Sequence, residues 1–192
     1  MVPRYEIRLS GSGGQGLILA GLILAEAIAL HEQKFVVQSQ SYGPEARGTA
    51  SKADVIISDE PIDYPKSLNP DVLLAMNQKA LDMNFLDLKK GGVLIVDSEL
   101  VKEWPTTHLV SLPLTRIAQE VAQSPQPANM VALGVLAVCT RKVSLQALSK
   151  TLTAHLKKEW LGMTFKFGLA ILIPVAKVRA RPWVVCRVLK SA

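Results

Sequence analysis

Along this chain, short apolar runs of strand length alternate with longer stretches of helical spacing. Tyr5–Ser10, Lys34–Ser39, Ala53–Ser58, Asp71–Met76, Val93–Asp97 and His108–Leu112 are rich in Val, Ile and Leu and read as strands. Val93–Asp97 is apolar throughout, as strands covered on both faces are, and Pro113 ends the last run as an edge strand. Helices are predicted over Leu17–Leu30, Lys79 to about Leu88, Thr115–Ala122, Asn129–Val138 and Leu145 to about Leu161. The last of these has Leu145, Leu148, Leu152, Leu156 and Trp160 on one stripe. Asn77 and Ser144 stand where N-caps are needed, and Lys89-Lys90-Gly91-Gly92 forms a basic last turn with a glycine stop. Alternation of this kind predicts a three-layer α/β/α sandwich on a mainly parallel or mixed sheet, with a Rossmann-like start.

Composition narrows the class. The chain has 192 residues, 49% hydrophobic and 20% charged, which fits one globular domain, here residues 1–161. No internal repeat and no linker divides it. The net charge of +6 lies entirely in residues 162–192, which hold Lys166, Lys177, Arg179, Arg181, Arg187 and Lys190 and no acid. The neutral body argues against nucleic acid as a partner. Three readings of the basic tail stay open: a grip on a membrane surface or acidic partner, a final element docked on the body, or a change of coding frame near Leu161. The Leu17–Leu30 run is 14 residues, broken by Gly21 and Glu26, short of the roughly 20 that span a membrane. No membrane span and no secretory signal are expected. Cys139 and Cys186 show no C-x-x-C spacing, so neither a disulfide framework, an iron–sulfur ligand set nor a zinc site is expected. A cytoplasmic location follows from that cysteine usage.

Two stretches carry candidate chemistry. Gly11-Ser12-Gly13-Gly14-Gln15-Gly16 joins a strand to a helix, and Gly11, Gly13 and Gly16 have the G-x-G-x-x-G spacing of dinucleotide sites. Unpaired N–H groups at such a helix start suit an anion. The acidic residue that should end the second strand and hold a ribose is missing: the strand runs into Gln40-Ser41, and Glu32 comes too early. The turn is then either an anion or neighbour contact, or simply a tight packing turn. The second stretch is the loop Gln40–Thr49, with Ser41, Tyr42, Gly43, Pro44, Glu45, Arg47 and Gly48. In a parallel sheet it falls beside the glycine turn, where Arg47 would offer a planar fork to phosphate or carboxylate. The alternative is a Glu45–Arg47 pair that pins a surface loop. His31, His108 and His155 are scattered, which gives no nucleophile–base set and no metal ligands.

Taken together, Gly-Ser-Gly-Gly-Gln-Gly-Leu at 11–17, Ser-Tyr-Gly-Pro-Glu-Ala-Arg-Gly at 41–48, and Val-Ile-Ile-Ser-Asp at 55–59 with Ile62-Asp63-Tyr64-Pro65 resemble the gamma subunit of 2-oxoacid:ferredoxin oxidoreductases. Asn129-Met130-Val131-Ala132-Leu133-Gly134 is similar to that family's late helix. The resemblance covers residues 4–160 and is nearest to the 2-oxoglutarate enzyme, then to the pyruvate and branched-chain enzymes. Thr49 stands where a second glycine is usual, and the likeness fades beyond Leu161. The resemblance implies a subunit of a complex that oxidatively decarboxylates a 2-oxoacid, with coenzyme A as acyl acceptor and ferredoxin as electron acceptor. It implies that thiamine diphosphate, Mg²⁺ and iron–sulfur clusters sit on partner subunits of alpha, beta and delta type, and that this chain holds no complete active site. Gly11–Gly16 and Ser41–Gly48 would form one ridge that packs against those partners and helps to shape the coenzyme A site, with Arg47 as the anionic contact. A purely structural subunit and a free-standing nucleotide-binding oxidoreductase are the rival readings.

Overall fold

Six strands lie in the order β2-β3-β1-β4-β5-β6 in a computed structural model that describes residues 4–42, 50–105 and 108–155. They are β1 (Arg4–Ser12), β2 (Phe35–Tyr42), β3 (Ala50–Ser58), β4 (Val72–Ala75), β5 (Val93–Asp97) and β6 (His108–Leu112). The helices among the described residues are α1 (Leu17–His31), α2 (Gln78–Asn84), α3 (Leu114–Ala122), α4 (Ala128–Thr140) and α5 (Leu145–His155). The expected helix from Lys79 to Leu88 therefore divides into α2 and a 3₁₀ turn over Phe85–Asp87. The expected continuation of α5 to Leu161 and the tail 162–192 lie outside the described residues.

The sheet is mixed. β1, β4, β5 and β6 pair in parallel, whereas β3 runs antiparallel to both β1 and β2. The seven residues between Tyr42 and Ala50 explain this. They can close a hairpin, but a parallel crossover needs a dozen residues or more. The start of the fold departs from a Rossmann unit for the same reason, because β3 separates β2 from β1. Strand ends also shift. Gly11-Ser12 and Gln40-Ser41-Tyr42 belong to strands and not to loops, being drawn into the sheet by pairing with Ala50–Ala53.

The two faces of the sheet are unequal. Ile7 and Leu9 of β1, Val55 of β3, Leu74 of β4, Ile95 of β5 and Val110 of β6 join α1, α3, α4 and α5 in one large core. Among the described residues the helical cover of the opposite face is α2 and the 3₁₀ turn, whose Leu81 and Phe85 pack with Leu73, Leu94 and Val96. There β1 presents a polar row, Arg4, Glu6, Arg8 and Ser10, by the alternation of its side chains. Arg8 is 2% exposed. Its Nε donates to Asp54 Oδ1 at 2.8 Å and its Nη2 to Asp54 Oδ2 at 3.4 Å, across the β1–β3 pair. Nη2 also reaches the Ser67 carbonyl at 3.4 Å, and Nη1 pairs with Asp87 of the 3₁₀ turn. One guanidinium thus ties the sheet to the 59–70 connection and to the end of α2. Buried charge is tolerated because its donors are met by fixed acceptors.

Glu6 does a matching job one step along. It accepts from Ser67 Oγ at 2.8 Å, Leu68 N at 2.8 Å and Asn69 N at 3.1 Å, and pairs with Arg4. Burial pushes its carboxyl up, but these hydrogen bonds and the Arg4 charge outweigh burial, and it titrates below the ordinary 4.5. A depressed native value means that the stabilisation is full above about pH 4.5 and is lost as pH falls through that native value. Glu6→Gln is therefore expected to be less stable than the parent at neutral pH by about 1–2 kcal/mol. The difference should shrink toward zero as pH falls below that native value. Unfolding midpoints measured across that range check it; a pH-independent difference would refute the assignment.

Candidate functional site

The C-terminal rim of the sheet is built around the residues that follow β1. Gly11 is still in the strand, where a Cβ would lie 2.3 Å from Gln15 Oε1 and 2.6 Å from Leu17 Cδ1, so a side chain there would have to displace the Gln15 amide that closes the turn. The chain then turns over Gly13–Gln15, and Gly16 precedes α1 at φ +68°. The Gln15 side chain folds back to accept from Ser12 N at 2.7 Å, while Gln15 N donates to Ser12 O at 3.2 Å. This closes the turn into a small ring of its own.

Three other elements hold that ring. Asn77 Nδ2 donates to Ser12 Oγ at 2.8 Å and to Gln15 Oε1 at 3.4 Å, and Asn77 Oδ1 accepts from Ala80 N at 2.8 Å to cap α2. Asn129, 5% exposed at the start of α4, donates from Nδ2 to the Gly16 carbonyl at 2.9 Å. Ser51 Oγ of β3 donates to Ser12 O at 3.3 Å. Gly13 and Gly14 remain exposed, and a Cβ on Gly14 would meet nothing within 4 Å. The start of α1 has no side-chain cap and no acid in its first turn. What results is a rigid turn with open backbone at the positive end of a helix, suited to an anionic group or to a neighbouring chain.

The strand ends that flank residues 43–49 stand at the same rim. Ser12 pairs with Ala50, and Tyr42 and Gly11 both pair with Ser51. Ser41, opposite Lys52, is exposed. Gly43, Pro44, Glu45, Arg47 and Gly48, and the Glu45–Arg47 pair weighed above, lie outside the described residues. Ordinary dinucleotide binding has no support in this geometry, since β3 stands between β1 and β2 and the end of β2 has no carboxylate.

The histidines stay apart: His31 ends α1, His108 Nδ1 lies 3.0 Å from the Gly91 carbonyl, and His155 pairs with Glu26. Burial pushes the Cys139 thiol up to about 11, which leaves little thiolate at neutral pH. Among the described residues no group of three His, Cys, Asp or Glu is placed to hold a metal ion, and no helix is long and apolar enough to cross a membrane. Sequence reasoning found Asn77 as a cap but missed its second bond to the turn. It also missed Ser51 and the clasp from Asn129, although Asn129 opens one of the quoted motifs.

Residues 6–164 match the pyruvate ferredoxin/flavodoxin oxidoreductase family. The chain is 50% identical over 159 residues to 2-oxoglutarate synthase subunit KorC of Methanocaldococcus jannaschii, which covers 81% of this chain and 85% of that one. It is 36% identical over 135 residues to ketoisovalerate oxidoreductase subunit VorA of Methanothermobacter thermautotrophicus, covering 70% of this chain but only 28% of that one. Among solved structures, it is similar to the gamma subunit of the keto/oxoacid ferredoxin oxidoreductase of Geobacter sulfurreducens. There the TM-score is 0.79 at 43% identity, over 88% of this chain and 94% of that one.

Proposed function

The chain belongs to the pyruvate ferredoxin/flavodoxin oxidoreductase family, and from that premise we propose that it is the gamma-type subunit of a 2-oxoglutarate:ferredoxin oxidoreductase. The observation that carries this reading is the 50% identity to the 2-oxoglutarate synthase subunit over 81% of this chain and 85% of that one. In the reaction, 2-oxoglutarate loses CO₂, the succinyl group passes to coenzyme A, and the electrons pass to ferredoxin. Thiamine diphosphate with Mg²⁺ and the iron–sulfur clusters, which supply the decarboxylation and the electron path, belong in this reading to partner subunits of alpha, beta and delta type.

This chain's own contribution is the rim. Gly13 and Gly14 let a partner or cofactor approach the backbone closely, and the uncapped start of α1 favours negative charge. Arg47, seven residues or fewer from both flanking strand ends, supplies a fixed positive charge for a phosphate of coenzyme A. Co-purification from the native source tests the assignment. The chain should emerge with companion subunits that turn over 2-oxoglutarate in preference to pyruvate, and should be inactive alone. In the assembled enzyme, Arg47→Ala should raise the KM for coenzyme A about 10-fold, the effect of losing one charge-assisted contact. Weakened assembly with unchanged kinetics would make the rim a scaffold instead, and NAD or FAD bound to a solitary chain would overturn the whole reading.

A further inference from the structure

The rim carries an aromatic side chain that the glycine turn does not explain. Trp104, the one tryptophan among the described residues, is 42% exposed. A tryptophan of a folded domain is ordinarily well buried, and its segment here is firmly held. Leaving β5 at Asp97, the chain stays against the body: Ser98 N donates to Leu112 O at 2.9 Å, Val101 N to Asp97 O at 2.9 Å, and the Val101 side chain is buried. The Gln78 amide then grips both sides of Glu103. Its Oε1 accepts from Lys102 N at 2.9 Å and from Glu103 N at 3.1 Å, and its Nε2 donates to Glu103 O at 2.9 Å. Pro105 follows and disfavours a helical backbone at Trp104. An indole on so fixed a backbone loses little freedom when something packs on it.

The same short piece of chain holds the glycine turn. Asn77, which precedes Gln78, donates to Ser12 Oγ at 2.8 Å. One dipeptide thus clasps the turn with its first side chain and the tryptophan segment with its second. Both lie beyond the C-terminal ends of parallel strands, for Ser10 of β1 pairs with Ala75 of β4, and Ala75 with Val96 of β5. Two strand spacings, about 10 Å, separate β1 from β5 there. Lys102 and Glu103 are both exposed and cancel in charge. The segment therefore offers a ring and no net charge, and the attraction for anions stays with the turn.

We propose that Trp104 stacks on the adenine ring of coenzyme A, whose diphosphate lies toward the glycine turn, and that Gln78 is the residue that positions the indole. The inference rests on the reading of the rim given above and adds the base to it. Adenine is the one aromatic group of coenzyme A, and a flat π face is what an exposed indole recognises. A turn open to anions and a pinned ring, joined through residues 77–78, suit a ligand whose charged diphosphate and flat base are a ribose apart.

The test uses the enzyme assembled with its companion subunits. Adenosine 3′-phosphate 5′-diphosphate, the adenine-bearing half of coenzyme A, is the calorimetric probe. Trp104→Ala should bind it roughly 10-fold more weakly, the effect of losing one base–aromatic stack, and Trp104→Phe should recover most of the loss. Gln78→Ala keeps the indole but frees its segment, and should weaken the probe roughly 3-fold. The KM for coenzyme A should rise in step. The KM for pantetheine 4′-phosphate, which has no adenine, should keep its wild-type value in all three variants. Wild-type probe affinity in Trp104→Ala would overturn the stacking and leave the subunit reading intact. So would an equal rise in both KM values, or a Trp104→Ala chain that no longer assembles, since either would make the indole a structural or subunit contact. A wild-type complex that binds neither coenzyme A nor the probe would overturn the reading of the rim, and this inference with it.

Discussion

Arg8→Ala is expected to lower the unfolding free energy by about 3–5 kcal/mol, because it strands a buried carboxylate with no counter-charge. Asp54 is 7% exposed and takes two bonds from Arg8. The same change releases the Ser67 carbonyl and Asp87, so the 59–70 connection and the 3₁₀ turn lose their common anchor. Arg8→Lys should recover only part of the loss, since an ammonium cannot reproduce the fork that spans Asp54, Asp87 and Ser67 at once. Denaturant unfolding of both variants, with Arg8→Ala/Asp54→Ala closing the cycle, measures the coupling. A loss below about 1 kcal/mol would show that the pair behaves like an exposed one.

The second large effect is local to the rim. Gly16→Ala is expected to cost about 2–3 kcal/mol from left-handed strain and a steric clash together. The backbone there has φ +68°, and a Cβ would stand 2.5 Å from Asn129 Nδ2, which holds the Gly16 carbonyl. Gly14→Ala provides the comparison. Its φ is +90°, but the space around it is open, so it should cost only about 1 kcal/mol. The difference between the two unfolding free energies isolates the Asn129 contact. Equal costs would mean that Asn129 moves aside freely and does not clasp the turn.

Much of the fold was legible because the strands are bounded by strong punctuation. Gly91-Gly92 before β5 and Pro113 after β6 fix those elements to the residue. Asn77 and Ser144 read as caps and do cap, Asn77 to Ala80 N and Ser144 to Ala147 N at 3.1 Å. Strand direction was harder, since side chains do not encode it. The seven-residue gap between Tyr42 and Ala50 was the usable signal for a hairpin. The end of β2, Gln38-Ser39-Gln40-Ser41, has no apolar alternation to mark it as a strand; only pairing with β3 makes it one. The burial of Glu6 and Arg8 has no local trace in the sequence, because burial of a charge depends on partners tens of residues away. At the rim, the glycines stood out in sequence, whereas the Asn77–Ser12 bond spans 65 positions of chain and has no local trace.

The sheet order also bears on how the chain is made. β1 is made before the other strands, yet it pairs only with β3 and β4, and β3 is complete only at Ser58. Until β3 is made the inward side chains of α1, among them Leu17, Ile23, Leu24 and Ile28, have no sheet to lie on. Translation therefore presents a greasy helix long before its shelter exists, the condition under which partly synthesised chains aggregate. Fragments that stop before β3 should be recovered in inclusion bodies, whereas those that extend past it gain the strand that joins β1 to β2 beneath α1.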